Sequence, residues 1–303
     1  MGGSESLRSD WLGAFVSFAE HLNFTRAAKA LHLSQPALHV QITKLSEALG
    51  VALYTRHGRA LELTGEGTKL LAFARETQER SRGFVADLRG ESGEGPVVLC
   101  AGEGTYLYLL GDAIRTFSNR KATTLRILTR DRSGTVDAVR SGEAHLGVAS
   151  LDVAPDGIIV EPLCDVEQVV VVPHSHPIAK KRAANLADLE GAALVVPPSG
   201  RPHRAMISRA LQGAGVSWTV AAEASGWELI LHFAALGMGS AIVNGFCRIP
   251  KGMIARPLRG LPPVRYSLLA RMGAHRRANV EALRQLIVER VRAIRPSSRN
   301  RPA

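Results

Sequence analysis

The stretch Phe24-Thr25-Arg26-Ala27-Ala28-Lys29-Ala30-Leu31-His32-Leu33-Ser34-Gln35-Pro36-Ala37-Leu38 carries more structural instruction than any other in the chain. Thr25 reads as the cap of a short alanine-rich helix over Arg26 to Leu31, since its hydroxyl can accept an orphan N–H of the first turn. His32-Leu33-Ser34 is a tight turn, and Ser34 is a second capping residue. Pro36 falls in the first turn of the next helix, where its missing N–H removes no hydrogen bond. Leu38, Ile42, Leu45 and Leu49 then recur on one helical face, and Gly50 ends the run. Two helices joined by a short turn, the second with a polar outer face, make a helix-turn-helix.

Upstream, Leu12, Phe15, Val16, Ala19 and Leu22 recur at helical spacing behind Ser9-Asp10 as caps. Downstream, Val51 to Tyr54, a turn at Arg56-His57-Gly58-Arg59 and the alternating Leu61-Glu62-Leu63 predict a hairpin with a basic tip, that is, a wing. Thr64 caps a long helix reaching about Arg89, with Leu70, Leu71, Phe73, Ala74 and Phe84 as its apolar members. A lone amphipathic helix cannot bury such a stripe, so this one is expected to pair with a second copy. Gly90-Glu91-Ser92-Gly93-Glu94-Gly95-Pro96 reads as a flexible hinge by composition.

From Val97 the pattern becomes strand–helix alternation, with strands expected over 97–101, 125–129, 146–149, 168–172, 194–196, 219–222, 240–243 and 266–270. Helices are expected over 106–117, 135–141, 203–214, 227–235 and 277–294, giving an α/β domain with mostly parallel strands. The expected organisation is a winged helix-turn-helix over 1–64, a linker helix over 65–90 and an α/β domain over 91–303.

The run from Phe24 to Leu38, continued by Gln41-Ile42, Leu45, Leu49-Gly50, Leu53-Tyr54, Arg56 and Leu63-Thr64-Gly65-Glu66-Gly67, resembles the LysR-type transcriptional regulators. Further landmarks agree at Glu161-Pro162-Leu163, Val171-Val172-Pro173, His176-Pro177-Ile178-Ala179 and Ala235-Leu236-Gly237-Met238-Gly239. The chain departs from the family pattern at His39-Val40, at Ser46, and at Val243-Asn244, where Leu/Ile-Pro is usual. The resemblance implies a DNA-binding, effector-responsive regulator that assembles as a homodimer or homotetramer. It also implies that the C-terminal part is periplasmic-binding-protein-like, with two subdomains (I about 96–164 and 265–303, II about 165–264) joined by crossing strands and the effector between them.

Within that frame, residues on the outer face of the second helix are the base readers. Ser34 to Pro36 set the helix N-terminus against a phosphate, Gln35 reaches a base edge, and Pro36 and Ala37 meet a thymine methyl. His39, Thr43 and Lys44 complete this face, Lys44 as a phosphate anchor; Thr25 at the start of the preceding helix is a further DNA-binding candidate, and Arg56, His57 and Arg59 on the wing reach a minor groove or flanking phosphates. The blander reading of such a face is simple solvation.

For the effector, Gly102-Glu103-Gly104-Thr105-Tyr106 follows the first α/β strand and opens a helix, presenting free N–H groups and a hydroxyl. It lacks the third glycine of a dinucleotide fingerprint and the lysine of a P-loop, so it is otherwise a plain tight turn. Asp131-Arg132-Ser133, the loop from Ser199 to Arg204, and Ser225-Gly226-Trp227 end other strands and are expected to line the same cleft. Arg132, Arg201, His203 and Arg204 suit a small anion, and Trp227 is either an aromatic wall or a core residue at a helix start.

Composition bounds the alternatives. With 38 Lys/Arg against 27 Asp/Glu the formal charge is +11, but residues 1–90 hold eleven against nine. From Arg271 onward there are nine Arg against two Glu, so the excess sits far from the DNA motif, where it reads as a solvated basic face. His174 and His176 flank a proline-bounded loop with no further ligand spacing, and Cys100, Cys164 and Cys247 show neither metal spacing nor a sensor–resolver pair. No Gly-x-Ser-x-Gly elbow occurs. No cofactor is expected, and no enzyme activity, although two-subdomain α/β clefts also host catalysis. A solute-binding protein and a ligand-independent DNA binder are the other rivals. No run of about 18 apolar residues and no basic-plus-apolar leader is present, so a cytoplasmic protein without membrane contact is expected.

Overall fold

A computed structural model describes residues 7–58, 60–89, 95–119, 124–151, 153–274 and 277–293. The N-terminal unit comprises α1 (Ser9–His21), α2 (Phe24–Ala30), α3 (Gln35–Leu49), β1 (Tyr54–His57) and β2 (Ala60–Leu63). Its core is Phe15 and Phe18 of α1, both fully buried, against Leu38, Ile42 and Leu45 of α3. Phe24 extends this core toward solvent: its ring lies 4.5 Å from Phe18, 5.6 Å from Tyr54 and 5.0 Å from His39, tying α2, the hairpin and α3 together.

Local signals differ in detail from expectation. The cap of α2 is Asn23, whose Oδ1 accepts the Arg26 N–H at 3.0 Å, so the helix starts one turn-position before Thr25 and leaves Thr25 exposed. Asparagine caps at least as well as threonine, and Phe24 between them packs on Phe18 and Tyr54. The turn closes with the Leu33 N–H on Ala28 O at 2.9 Å, which places non-glycine His32 at φ 56°. The hairpin begins at Tyr54 rather than Val51 and turns at Gly58, so Arg56 and His57 stand on a strand, and Arg59 lies outside the described residues.

Helix α4 (Gly65–Leu88) is capped by Thr64, whose Oγ1 accepts the Gly67 N–H at 2.9 Å and donates to Ala52 O at 2.7 Å. Gly67 is required here, because a Cβ would stand 2.0 Å from the Leu53 carbonyl oxygen. The expectation of a wholly unpartnered stripe is corrected. Leu70, Leu71 and Ala74 are buried against the core of their own N-terminal unit, whereas Phe73, Phe84, Val85 and Leu88 are exposed.

Two α/β subdomains follow. Subdomain I holds β3 (Val97–Ala101), a continuous helical run of α5 (Glu103–Thr105), a π-turn over Tyr106–Leu110 and α6 (Gly111–Ser118), then β4 (Leu125–Thr129), α7 (Arg132–Arg140), β5 (Leu146–Ser150) and β6 (Ile158–Val166). Subdomain II holds β7 (Gln168–Pro173), β8 (Ala184–Asn185), β9 (Ala192–Val196), α8 (Pro202–Gly213), β10 (Trp218–Glu223), α9 (Trp227–Ala235), β11 (Ser240–Asn244) and β12 (Met253–Arg259). The chain then returns to subdomain I through β13 (Val264–Arg271) and α10 (Ala278–Arg292). The sheets run β4-β3-β5-β13-β6 and β10-β9-β11-β7-β12-β8. They are mixed rather than mostly parallel, since β13 pairs antiparallel with β5 and β6, and β7 antiparallel with β11 and β12. The strands that cross between subdomains have to reverse direction to return. The reading also missed β6, β8 and β12, whose burial alternates irregularly and so mimics a loop.

The basic C-terminal segment is not simply solvated. Arg271 pairs with Glu76 at 2.5 Å and Arg277 with Glu79 at 3.5 Å on α4, while Arg284 and Arg292 both reach Glu161. Gly95 of the expected hinge is held by Asn279 Nδ2 at 3.1 Å on its carbonyl, and 90–94 lie outside the described residues. Burial decides which of these contacts matter to stability: Leu45→Ala is expected to cost about 2–5 kcal/mol by urea denaturation, against within about 0.5 kcal/mol for Val40→Ala on the exposed face of the same helix.

Candidate functional site

Two surfaces carry the candidate residues. On α3 the Ser34 Oγ accepts the Ala37 N–H at 3.3 Å, which orients the helix N-terminus outward. Gln35, Pro36, Ala37, His39, Thr43 and Lys44 are all exposed on the side opposite Leu38, Ile42 and Leu45. His39 is less free than its exposure suggests, because it packs on Phe24 and its Nδ1 lies 3.4 Å from Thr43 Oγ1. On the wing, Arg56 Nε donates to Gly58 O at 3.0 Å and His57 Nε2 lies 3.4 Å from Thr55 Oγ1.

The second surface is a cavity of about 440 Å³ between the subdomains. Glu103, Gly104, Thr105, Arg132, Arg201, His203 and Trp227 all line it, together with Asp131, Pro197, Pro198, Ile230 and Tyr266. Ser133 and Arg204 do not. The Ser133 hydroxyl donates to Asp131 Oδ1 at 3.1 Å, and the Arg204 guanidinium sits 4.5 Å over the Trp218 ring.

Asp131 caps α7 through the Gly134 N–H at 3.0 Å and bridges the cleft to Arg201 Nη1 at 2.8 Å. The Gly134 N–H, then Arg201, hold its carboxyl below the usual range. Arg201 is therefore already paired. Arg130, also in the cleft, lies 3.6 Å from Glu143. His203 was expected to offer a positive charge, and the structure corrects this: burial pushes its imidazole down to about 4, so it is neutral near pH 7. Its ring meets Trp227 edge-on at 4.6 Å. Trp227 in turn rests on Gly104 across the cleft, where a Cβ would stand 2.5 Å from Trp227 Cδ1.

Beneath the cavity runs a chain of buried hydrogen bonds that sequence reading did not find. His203 Nε2 meets Gln168 Oε1 at 2.8 Å, Gln168 Nε2 donates to Asn244 Oδ1 at 2.9 Å, and Asn244 Nδ2 donates to the Tyr266 hydroxyl at 2.8 Å. Burial pushes the Tyr266 hydroxyl up, and Asn244 and Thr105 beside it offset part of that rise. The one visible signal was Asn244, standing where the resemblance leads one to expect proline. Gln168 and Tyr266 sit in strand runs that look like ordinary core. Among the described residues no group of three or more His, Cys, Asp or Glu is placed to hold a metal. None of their helices is long and apolar enough to cross a membrane.

These two surfaces, a wing-flanked helix-turn-helix and a cleft between two α/β subdomains, define an effector-controlled DNA-binding protein. The model of the bacterial regulatory helix-turn-helix protein, lysR family, matches residues 9–68, and that of the LysR substrate binding domain matches 90–292. The chain belongs to the LysR family of DNA-binding transcriptional regulators. Its relatives are regulators rather than enzymes. It is 27% identical over 292 residues to the DNA-binding transcriptional dual regulator OxyR of Escherichia coli, covering 91% of this chain and 93% of that protein. It is 28% identical over 231 residues to the HTH-type transcriptional regulator CysB of Haemophilus influenzae, covering 74% and 71%. A full-length OxyR from Pseudomonas aeruginosa superposes with a TM-score of 0.70 at 22% identity, covering 98% of this chain and 100% of that one.

The neutral His203 makes stability depend on pH with a fixed sign. Its folded pKa lies below the ordinary value of 6.5, so the unfolded chain binds more protons between about 6.5 and 4, and stability falls as pH drops through that window. The full effect is on the order of 3 kcal/mol. The difference between wild-type and His203→Gln denaturation midpoints, followed from pH 7 to pH 4, is expected to show it; parallel curves would place the ring in water.

Proposed function

We propose that the chain reads its operator with the α3 face running from Gln35 to Lys44, flanked by Thr25 and the wing residues Arg56, His57 and Arg59, and that a small anion in the cleft controls this reading. The observation that supports the anion is electrostatic. Three helical N-termini open on the cavity without a side-chain cap: Gly102 before α5, Arg201 before α8 and Gly226 before α9. Uncapped N–H groups and the helix dipoles leave partial positive charge there. The fourth helix, α7, already has its anion in Asp131. Glu103, Gly104, Thr105, Arg132, Ser133, Arg201, His203 and Trp227 are the proposed effector residues, Ser133 through its hold on Asp131.

The ends of the cavity belong to different subdomains, so a ligand touching both favours one arrangement of the pair. Control requires unequal affinity for the two arrangements, not merely tight binding. Subdomain I passes such a change to α4 through Glu76–Arg271 and through Glu79, whose carboxylate lies 3.0 Å from His145 Nε2. Assembly follows from the exposed Phe73, Phe84, Val85 and Leu88 on α4, which we assign to a homodimer or homotetramer contact because several large apolar side chains left exposed on one helix mark an interaction surface.

Two measurements test these assignments. Gln35→Ala is expected to weaken operator DNA by about 1–3 kcal/mol and scrambled DNA little, whereas Lys44→Ala weakens both and reduces the salt dependence. Equal losses on both DNAs for Gln35→Ala remove it from the base readers. Phe84→Glu with Leu88→Glu is expected to lower the mass seen by light scattering while the N-terminal unit stays folded; unchanged mass moves the oligomer contact elsewhere.

A further inference from the structure

One side chain on the reading face is braced from two sides. His39 lies one turn after Gln35 on α3 and is exposed, yet its ring rests on Phe24, with the ring centroids 5.0 Å apart. Phe24 is itself fixed, packing at 4.5 Å on the fully buried Phe18 and at 5.6 Å on Tyr54 at the base of the wing. On the other side, Thr43 Oγ1 lies 3.4 Å from His39 Nδ1. That contact is uncommon for a helical threonine. Thr68, Thr77, Thr116 and Thr135 each give their hydroxyl to the carbonyl four residues back at 2.8–3.0 Å, whereas the Thr43 hydroxyl turns to the imidazole instead. A hydroxyl that leaves one acceptor takes another, and the Nδ1 lone pair is the acceptor in reach. With Nδ1 accepting, the ring proton sits on Nε2, the nitrogen farther from the backbone.

We propose that His39 is a base reader whose Nε2–H donates to N7 of a guanine in the major groove, and that Phe24 and Thr43 are the residues that position it. This rests on α3 being the reading face. The N-terminal turns of a recognition helix are within reach of base edges, and His39 is on the second of them. A fixed donor there meets two acceptors on guanine, N7 and O6. Adenine offers one acceptor beside a donor, cytosine a donor, and thymine a lone acceptor beside its methyl group. Bracing matters because an exposed side chain loses rotamer freedom when it binds, and a ring already held by Phe24 and Thr43 has less to lose. A braced ring also swings aside less readily, so a wrong base leaves its proton unpaired. Thr43 then acts through His39 rather than on the DNA.

The test selects binding sites from random-sequence duplex DNA with the full chain, as wild type, His39→Ala, Phe24→Leu, Thr43→Val and Thr43→Ser. Wild type is expected to fix a G·C pair that His39→Ala leaves unspecified while the other positions persist. Replacing that guanine by 7-deazaguanine, which lacks the N7 acceptor, is expected to weaken wild type about three- to tenfold and His39→Ala not at all. Phe24→Leu and Thr43→Val are expected to blur the same pair and no other, a pattern that a general loss of stability does not give. Thr43→Ser, which keeps the hydroxyl, is expected to keep the pair, and Thr43→Val to add nothing in the His39→Ala background. An unchanged site in His39→Ala, an A·T pair as the position lost, or a wild type indifferent to 7-deazaguanine overturns the proposal. A Thr43→Val loss that persists without His39 overturns the positioning role. If wild type selects no common site, the reading of α3 as the operator-binding face falls with it.

Discussion

Everything the C-terminal domain can do depends on one constraint: polar side chains buried between the subdomains must satisfy one another. Gln168 and Asn244 are almost fully buried, and neither could stay so without a partner for each end of its amide. Their mutual bond, with His203 on one side and Tyr266 on the other, ties β7, β11 and β13 at a fixed register. A chain of this kind tolerates small rotations of one subdomain on the other only if its bonds survive. Of its bonds, the one from Asn244 to Tyr266 joins subdomain II to subdomain I.

The charges around the cleft follow the same logic at the surface. Arg201 and Asp131 join opposite walls, and both stand about half exposed, so the pair contributes little to stability. Gly104 and Trp227 set the width of the cleft by direct contact, because the absence of a Cβ is what allows the ring to lie there. On the opposite side of subdomain I the ion pairs of Glu76 and Glu79 bind α4 to the domain, and α4 buries Leu70, Leu71 and Ala74 in the DNA-binding unit. A single helix thus makes contacts with both the helix-turn-helix unit and subdomain I.

Much of this was legible before any coordinates. The helix-turn-helix was readable because its instructions are local: caps, a proline in the first turn, a 3.6-residue apolar period and a terminal glycine act within one or two turns of chain. The loops around the cleft were legible for a related reason, since they follow strands, and strand ends in such sheets face one side. What could not be read was partner choice. Asn23 and Thr25 are both good caps two residues apart, and only packing of Phe24 on Phe18 and Tyr54 selects between them. The stripe on α4 looked unpartnered because its partner, the core around Phe15 and Phe18, lies some fifty residues earlier in the chain.

By itself, then, the sequence determined the winged helix-turn-helix, the long connecting helix and the α/β character of the remainder, because each rests on short-range periodicity and turn chemistry. Tertiary structure alone decided the antiparallel returns of β7 and β13, the neutral state of His203, the pairing of Arg201 with Asp131 and the chain from His203 to Tyr266. These depend on burial and on contacts between residues at least 22 positions apart along the chain. Hydrophobic period is inscribed in neighbouring residues; desolvation and hydrogen-bond direction exist only once distant strands have been brought together.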